Sequence, residues 1–184
     1  MRVIAGTLKG RRLEAPTWAG LRPTSDKLRE TLFNVLGARV EGARVADLGA
    51  GTGAVGIEAL SRGAAEVVFL DADRRACRLI ARNLERVGVR AGYTIVHSTV
   101  EDAPCRLGPG GFDVVFLDLP YGDPELDRAV AAAARLVAPG GCLVVEHARR
   151  REVPERADAL ERVRVVRSGD SAISLFRRAA GGEG

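Results

Sequence analysis

Glutamine is absent from this 184-residue sequence, Asn occurs twice, and aromatic residues make up only 4% of it. Cysteine is nearly as scarce. Cys77, Cys105 and Cys142 are scattered, form no CxxC pair and have no His spaced for a metal. This pattern argues against a disulfide framework and a metal site, and it leads us to expect reduced thiols in a cytoplasmic protein. No apolar run approaches the ~20 residues that a membrane span needs. The opening MRVIAGTLKGRRL lacks the apolar stretch of roughly 7–15 residues that marks a secretory signal. No Ser or Cys stands in a nucleophile elbow, which argues against covalent catalysis. What is present is a globular composition, 46% hydrophobic and 28% charged, with a net charge of only +4. Such a chain suits one domain able to bury roughly 70% of its unfolded surface, and its low net charge argues against disorder.

The positive charge is gathered at one end. Residues 1–40 hold eight basic residues (Arg2, Lys9, Arg11, Arg12, Arg22, Lys27, Arg29, Arg39) against three acidic ones. Such a footprint attracts a phosphate backbone, because each cation that neutralises a phosphate releases counterions. Arg2–Glu14 reads as two short strands around Gly6–Gly10, a basic hairpin-like arm. Thr24, Ser25 and Asp26 offer N-cap oxygens for a helix running to about Leu36 and stopped by Gly37. From Arg44 onward, strand-like runs at 44–48, 67–71, 93–97, 114–118 and 142–146 alternate with helical segments. Ala76, Ile80, Leu84 and Val87 keep a helical period, as do Leu126, Val130, Ala133 and Val137. That alternation predicts an α/β fold with a mostly parallel sheet and helices on both faces. Residues 163–167 and 172–177 close it with an antiparallel hairpin. The expected organisation is a basic N-terminal extension (1–40), which either binds nucleic acid or forms a solvated face, an α/β domain (41–178) and a disordered tail (179–184).

The first strand runs into Asp47-Leu48-Gly49-Ala50-Gly51-Thr52-Gly53-Ala54-Val55-Gly56. Gly51–Gly56 fits the dinucleotide fingerprint GxGxxG, with Asp71 about 20 residues on to hold a ribose. The same residues fit the D-x-G-x-G-x-G loop of S-adenosylmethionine enzymes. Asp47 favours the second reading, since a carboxylate there suits the ammonium of methionine and repels a pyrophosphate. Asp47, Gly49, Ala50, Gly51, Gly53, Asp71 and Ala72 are therefore candidate cofactor contacts. Thr99 and Val100, after the third strand, join them by position alone.

The fourth strand delivers Asp118-Leu119-Pro120-Tyr121. An exocyclic amine on a base is a poor nucleophile, because its lone pair is delocalised into the ring. The Asp118 carboxylate and the Leu119 carbonyl can each accept one N–H and turn that lone pair toward a methyl donor. Pro120 stiffens the turn, and Tyr121 can stack on the base for ~1–3 kcal/mol.

DLGAGTG with DLPY resembles the class I methyltransferases that modify amino nitrogens, whose usual signature is [D/N]PP[Y/F]. The segments MRVIAGTLKGRRL, RPTSDKLRETLFNVL and SGDSAISLFRR are similar to those of the bacterial 16S ribosomal RNA guanine-N2 methyltransferases of the RsmD type, over nearly the full chain. The resemblance implies a Rossmann-like sheet of seven strands, S-adenosylmethionine as cofactor and Asp118–Tyr121 as the catalytic loop. It implies ribosomal RNA as partner, naked or in a partly assembled small subunit, with no metal and no membrane. It also places Arg22-Pro23-Thr24 near the catalytic loop, so that Arg2, Lys9, Arg11, Arg12, Arg22 and Thr24 are candidate RNA contacts. Leu119 departs from the family, standing where its first proline is expected. Ribosomal RNA adenine dimethyltransferases carry NLPY, so leucine is compatible with amine chemistry. Adenine-N6 or protein-glutamine methylation, a nicotinamide oxidoreductase and a non-catalytic RNA-binding protein are the alternatives.

Overall fold

In the computed structural model, which describes residues 1–18 and 24–178, each apolar run becomes a strand of one sheet. β1 (Arg44–Leu48), β2 (Glu66–Asp71), β3 (Tyr93–His97), β4 (Phe112–Asp118) and β5 (Val137–Ala148) are joined by β6 (Arg156–Ala157), β7 (Leu160–Ser168) and β8 (Ser171–Arg178). The eight strands lie in the order β3-β2-β1-β4-β5-β8-β7-β6. β1 to β5 are parallel, while β8, β7 and β6 run antiparallel, so the expected closing hairpin is present. The eighth strand, beyond the seven expected, is β6. It pairs only Arg156 and Ala157 with Glu161 and Leu160, too short for any period to show in sequence.

α1 (Asp26–Leu36), α2 (Ala54–Ser61) and α3 (Arg74–Arg86) contribute to one apolar cluster. α4 (Ala103–Leu107) and α5 (Leu126–Ala134) contribute to another. Helices thus cover both faces of the sheet, the arrangement that right-handed crossovers produce. α1 starts where its caps predict: Ser25 accepts a hydrogen bond from the Leu28 amide, and Gly37 caps the end at φ 57°. Val137 belongs to β5 and not to a helix, because the chain turns out of α5 after Ala134. Strand order reverses between β1 and β4, which opens a crevice beyond their carboxyl ends.

Residues 2–14 hold a single bridge, Arg2 to Arg12, in place of two strands. The Ile4 and Ala5 amides are turned away from the hairpin and donate to the Glu58 carboxylate at 2.7 and 2.9 Å. Arg29, fully buried, lies 3.6 Å from the same carboxylate and donates to the Arg2 carbonyl at 2.8 Å. Val3, Leu13, Leu28, Leu32 and Phe33 share one core with β1 and α2. The arm is therefore built onto the sheet. Asn83 of α3 ties it to the glycine loop, accepting from the Glu14 amide at 2.7 Å and donating to the Thr52 carbonyl at 2.9 Å. Arg22 and the tail 179–184 lie outside the described residues.

Candidate active site

The crevice is a cavity of about 1120 Å³, above the ~300–1,000 Å³ of a single-ligand pocket. Its walls come from the ends of β2, β4 and β5, the glycine loop, the segment before α1, and Ser171. Gly49 sits at the centre of this arrangement. With φ +70°, a Cβ there would lie 2.0 Å from the Asp118 carbonyl oxygen, so only glycine lets the loop touch the end of β4. Gly56 serves the packing beneath: a Cβ would meet the Phe69 ring at 2.2 Å, which brings α2 close against β2.

Asp71 is pinned by the backbone. Its carboxylate accepts from the Gly51 and Asp73 amides, each at 2.8 Å. Burial raises its pKa, and these two hydrogen bonds oppose the rise. The side chain still lines the cavity with Ala72, Thr99 and Val100, where its remaining lone pairs suit a ribose diol. Asp47 is placed differently. It is buried beneath the loop, accepts from the Gly56 amide at 2.9 Å, and is absent from the cavity wall, as are Ala50, Gly51 and Gly53. Burial pushes its carboxyl up to about 7, the Gly56 amide opposing and Asp71 adding to the rise. Asp47 thus anchors the loop to α2. Of the loop residues predicted to bind, Gly49 reaches the cavity.

Asp118 meets other carboxyls and hydroxyls. Thr24, read from sequence as an RNA contact, donates to its Oδ2 at 3.0 Å. In the paired strands Asp118 stands opposite Glu146 of β5. Its pKa is held well above the usual carboxylate range by burial and then by the neighbouring Glu146, with the Thr24 hydroxyl opposing. Leu119 and Pro120 line the cavity beside it. Tyr121 keeps 37% of its surface exposed while its hydroxyl donates to Glu146 Oε1 at 3.2 Å and pairs with the Ser171 hydroxyl.

Among the described candidates for RNA contact, Arg2, Lys9, Arg11 and Arg12 are not in the cavity wall. Arg2, Lys9 and Arg12 are exposed on the arm, with Arg2 3.9 Å from Asp26. The Arg11 guanidinium donates to the Val87 carbonyl at the end of α3. Sequence reasoning missed Glu146, Ser171, Trp18, Glu101 and Arg75, all in the wall. The Arg75 guanidinium lies 5.2 Å from the Trp18 ring centroid. Only the SGDSAIS motif gave a signal, for Ser171.

Among the described residues, the wall carries seven carboxyl side chains (Asp71, Asp73, Glu101, Asp118, Asp123, Glu125, Glu146) against two arginines, Arg74 and Arg75. Such a lining repels a pyrophosphate and suits a sulfonium with an ammonium. S-adenosylmethionine therefore fits the residues present better than a dinucleotide does.

The family model described as "Conserved hypothetical protein 95" matches residues 1–177. A Bacillus subtilis protein named "Putative rRNA methyltransferase YlbH" is 34% identical over 182 residues, covering 97% of this chain and 99% of that one. Ribosomal RNA small subunit methyltransferase D of Haemophilus influenzae is 37% identical over 133 residues, 71% of this chain and 69% of its own. The solved structure of the Escherichia coli protein yhhF superposes with a TM-score of 0.81 at 31% identity, over 98% of this chain and 99% of that chain. The chain belongs to the conserved hypothetical protein 95 family, the RsmD type of class I methyltransferase.

Proposed function

We propose that this protein transfers a methyl group from S-adenosylmethionine to the exocyclic N2 amine of a guanine in 16S ribosomal RNA. One observation carries the reading: Asp118 at the end of β4 and Leu119 after it line the same cavity as Asp71 and Gly49, in a chain whose relatives are named as ribosomal RNA methyltransferases. Asp71 would hold the ribose of the cofactor, with Ala72, Thr99 and Val100 along the adenosine. Asp47 acts from below, keeping the loop closed onto α2. When bound, S-adenosylmethionine supplies a methyl group on a sulfonium, a leaving group already activated.

The chain's own residues do the rest. The Asp118 carboxylate and the Leu119 carbonyl accept the two amine hydrogens, which aims the nitrogen lone pair. Thr24 holds one Asp118 oxygen in place. Tyr121 offers its ring to the base while its hydroxyl is fastened to Glu146 and Ser171. Positioning of this kind supplies much of a methyl transfer's acceleration. A guanine in paired RNA has to be flipped out to reach the site, and the volume of the cavity accommodates a base beside the cofactor. Arg2, Lys9 and Arg12 would grip phosphates outside the cavity, with residues 1–40 serving as the RNA-binding extension.

Transfer of labelled methyl to 16S RNA and to small-subunit particles, followed by nucleoside mass spectrometry, tests this reading. N2-methylguanosine is the expected product. N6-methyladenosine or methylglutamine would reassign the acceptor, and no labelled product with either substrate would overturn the reading.

A further inference from the structure

Glu146 has no place in the sequence reading, yet the catalytic loop is built around it. It is 5% exposed, lines the cavity and stands in register with Asp118 on the neighbouring parallel strand, where side chains project to one face about 4.8 Å apart. That register sets the two carboxyl groups against each other, and Glu146 raises the pKa of Asp118. Two carboxyl groups can hydrogen-bond each other only if one carries a proton, because ionised carboxylates are acceptors alone. Glu146 also receives the Tyr121 hydroxyl at 3.2 Å, on a residue that Ser171 of β8 holds from the other side. Among the described residues, Asp47 from β1 and the Thr24 hydroxyl also act on Asp118. His147, next along β5, is engaged with Ser174 at 2.9 Å.

We propose that Glu146 is a positioning residue for amine methylation: it shares one proton with Asp118 and fastens Tyr121, so that one buried carboxyl sets both the group that grips the amine and the ring that stacks on the base. This rests on the amino-nitrogen methyltransferase reading above. In the transfer, the amine nitrogen gains the methyl and loses one proton, and the sulfur keeps the electron pair of the broken carbon–sulfur bond. The proton passes to Asp118. The pair carries one proton before transfer and two after it, and it releases one to water through the open cavity. A second carboxyl beside Asp118 makes it a better proton acceptor than an isolated aspartate, as a general base at neutral pH requires.

The test compares the full-length protein with Glu146→Gln, Glu146→Asp and Asp118→Asn. The first readout is the pH titration of protonated-carboxyl infrared absorption in the ligand-free protein. The second is the pH profile of kcat. Wild type minus Asp118→Asn isolates the pair from Asp47. That difference is expected to show a carboxyl titrating above the ordinary range. In Glu146→Gln its midpoint falls by about one pH unit or more, as expected when an anionic neighbour is lost. The acid limb of kcat moves down with it and the plateau falls about tenfold, while KM for RNA stays within about twofold. Glu146→Asp retains a carboxyl and keeps the high midpoint. An unmoved limb and midpoint in Glu146→Gln overturn the proposal. If that variant does not fold, a wild-type spectrum without the high-titrating carboxyl overturns it alone. A wild type that transfers no methyl would defeat the functional reading, while the infrared titration would still decide the pair.

Discussion

The pentapeptide Val-Val-Phe-Leu-Asp occurs twice, at 67–71 and 114–118, and each copy forms a parallel strand that delivers its aspartate to one cavity. The two aspartates then meet different partners. Asp71 takes two backbone amides from turns that follow β1 and β2, donors that favour its anion. Asp118 takes a hydroxyl that favours its anion and, against that, burial beside a second carboxyl, which favours a retained proton. Identical local sequence thus makes a carboxyl pinned by backbone amides at one strand end and a carboxyl set beside another carboxyl at the other. The difference comes entirely from what the fold brings alongside.

Substitutions can break that comparison. The largest effect belongs to Asp118→Ala, for which kcat should fall by about 10³-fold or more, in the range of losing a positioned acceptor, while calorimetry should find cofactor affinity within about threefold of wild type. Asp71→Asn should do the reverse. Loss of charge-assisted hydrogen bonds to the ribose would weaken S-adenosylhomocysteine binding by about 10–100-fold, with kcat at saturation little changed. An interchange of these two outcomes would abolish the distinction between the strand ends.

Asp47 sharpens the contrast, since it stands one residue before the end of its own strand yet is absent from the cavity wall. The folded carboxyl titrates near 7 and the unfolded one near 4. Between those values the folded state holds a proton that the unfolded state has lost, so this contribution to stability declines as pH rises through the window and is flat outside it. Asp47→Asn removes the titration. Its stability relative to wild type should therefore rise by roughly 1 kcal/mol per pH unit across the window, as chemical denaturation at several pH values would show. The smallest effect lies outside the cavity. Lys9→Ala with Arg12→Ala should reduce the salt slope of RNA binding by about one to two and leave cofactor affinity unchanged.

The residues that were legible in the sequence are those whose partners are close along the chain or whose pattern is periodic. The Ser25 cap, the five parallel strands, the closing hairpin and the meeting of Asp71 with the glycine loop all follow from short-range pattern and βαβ handedness. Glu146 was not legible, because it reads as the polar end of an ordinary buried strand until register sets it against Asp118. The same holds for the arm. Its alternation suggests strands, but the buried Glu58 carboxylate, more than fifty residues away, takes the amides a strand would need. Trp18 and Arg75 meet only in three dimensions. The position of Asp47 beneath the loop goes with its acceptance of the Gly56 amide, which the glycine spacing alone does not reveal.

The central claim is that one cavity holds a methyl donor against the Asp118–Tyr121 loop. A crystal structure with S-adenosylhomocysteine tests it most directly. The account predicts ribose hydroxyls on Asp71, adenosine beside Ala72, Thr99 and Val100, and the sulfur facing Asp118. Binding elsewhere, or a ligand whose sulfur points away from residue 118, would contradict it.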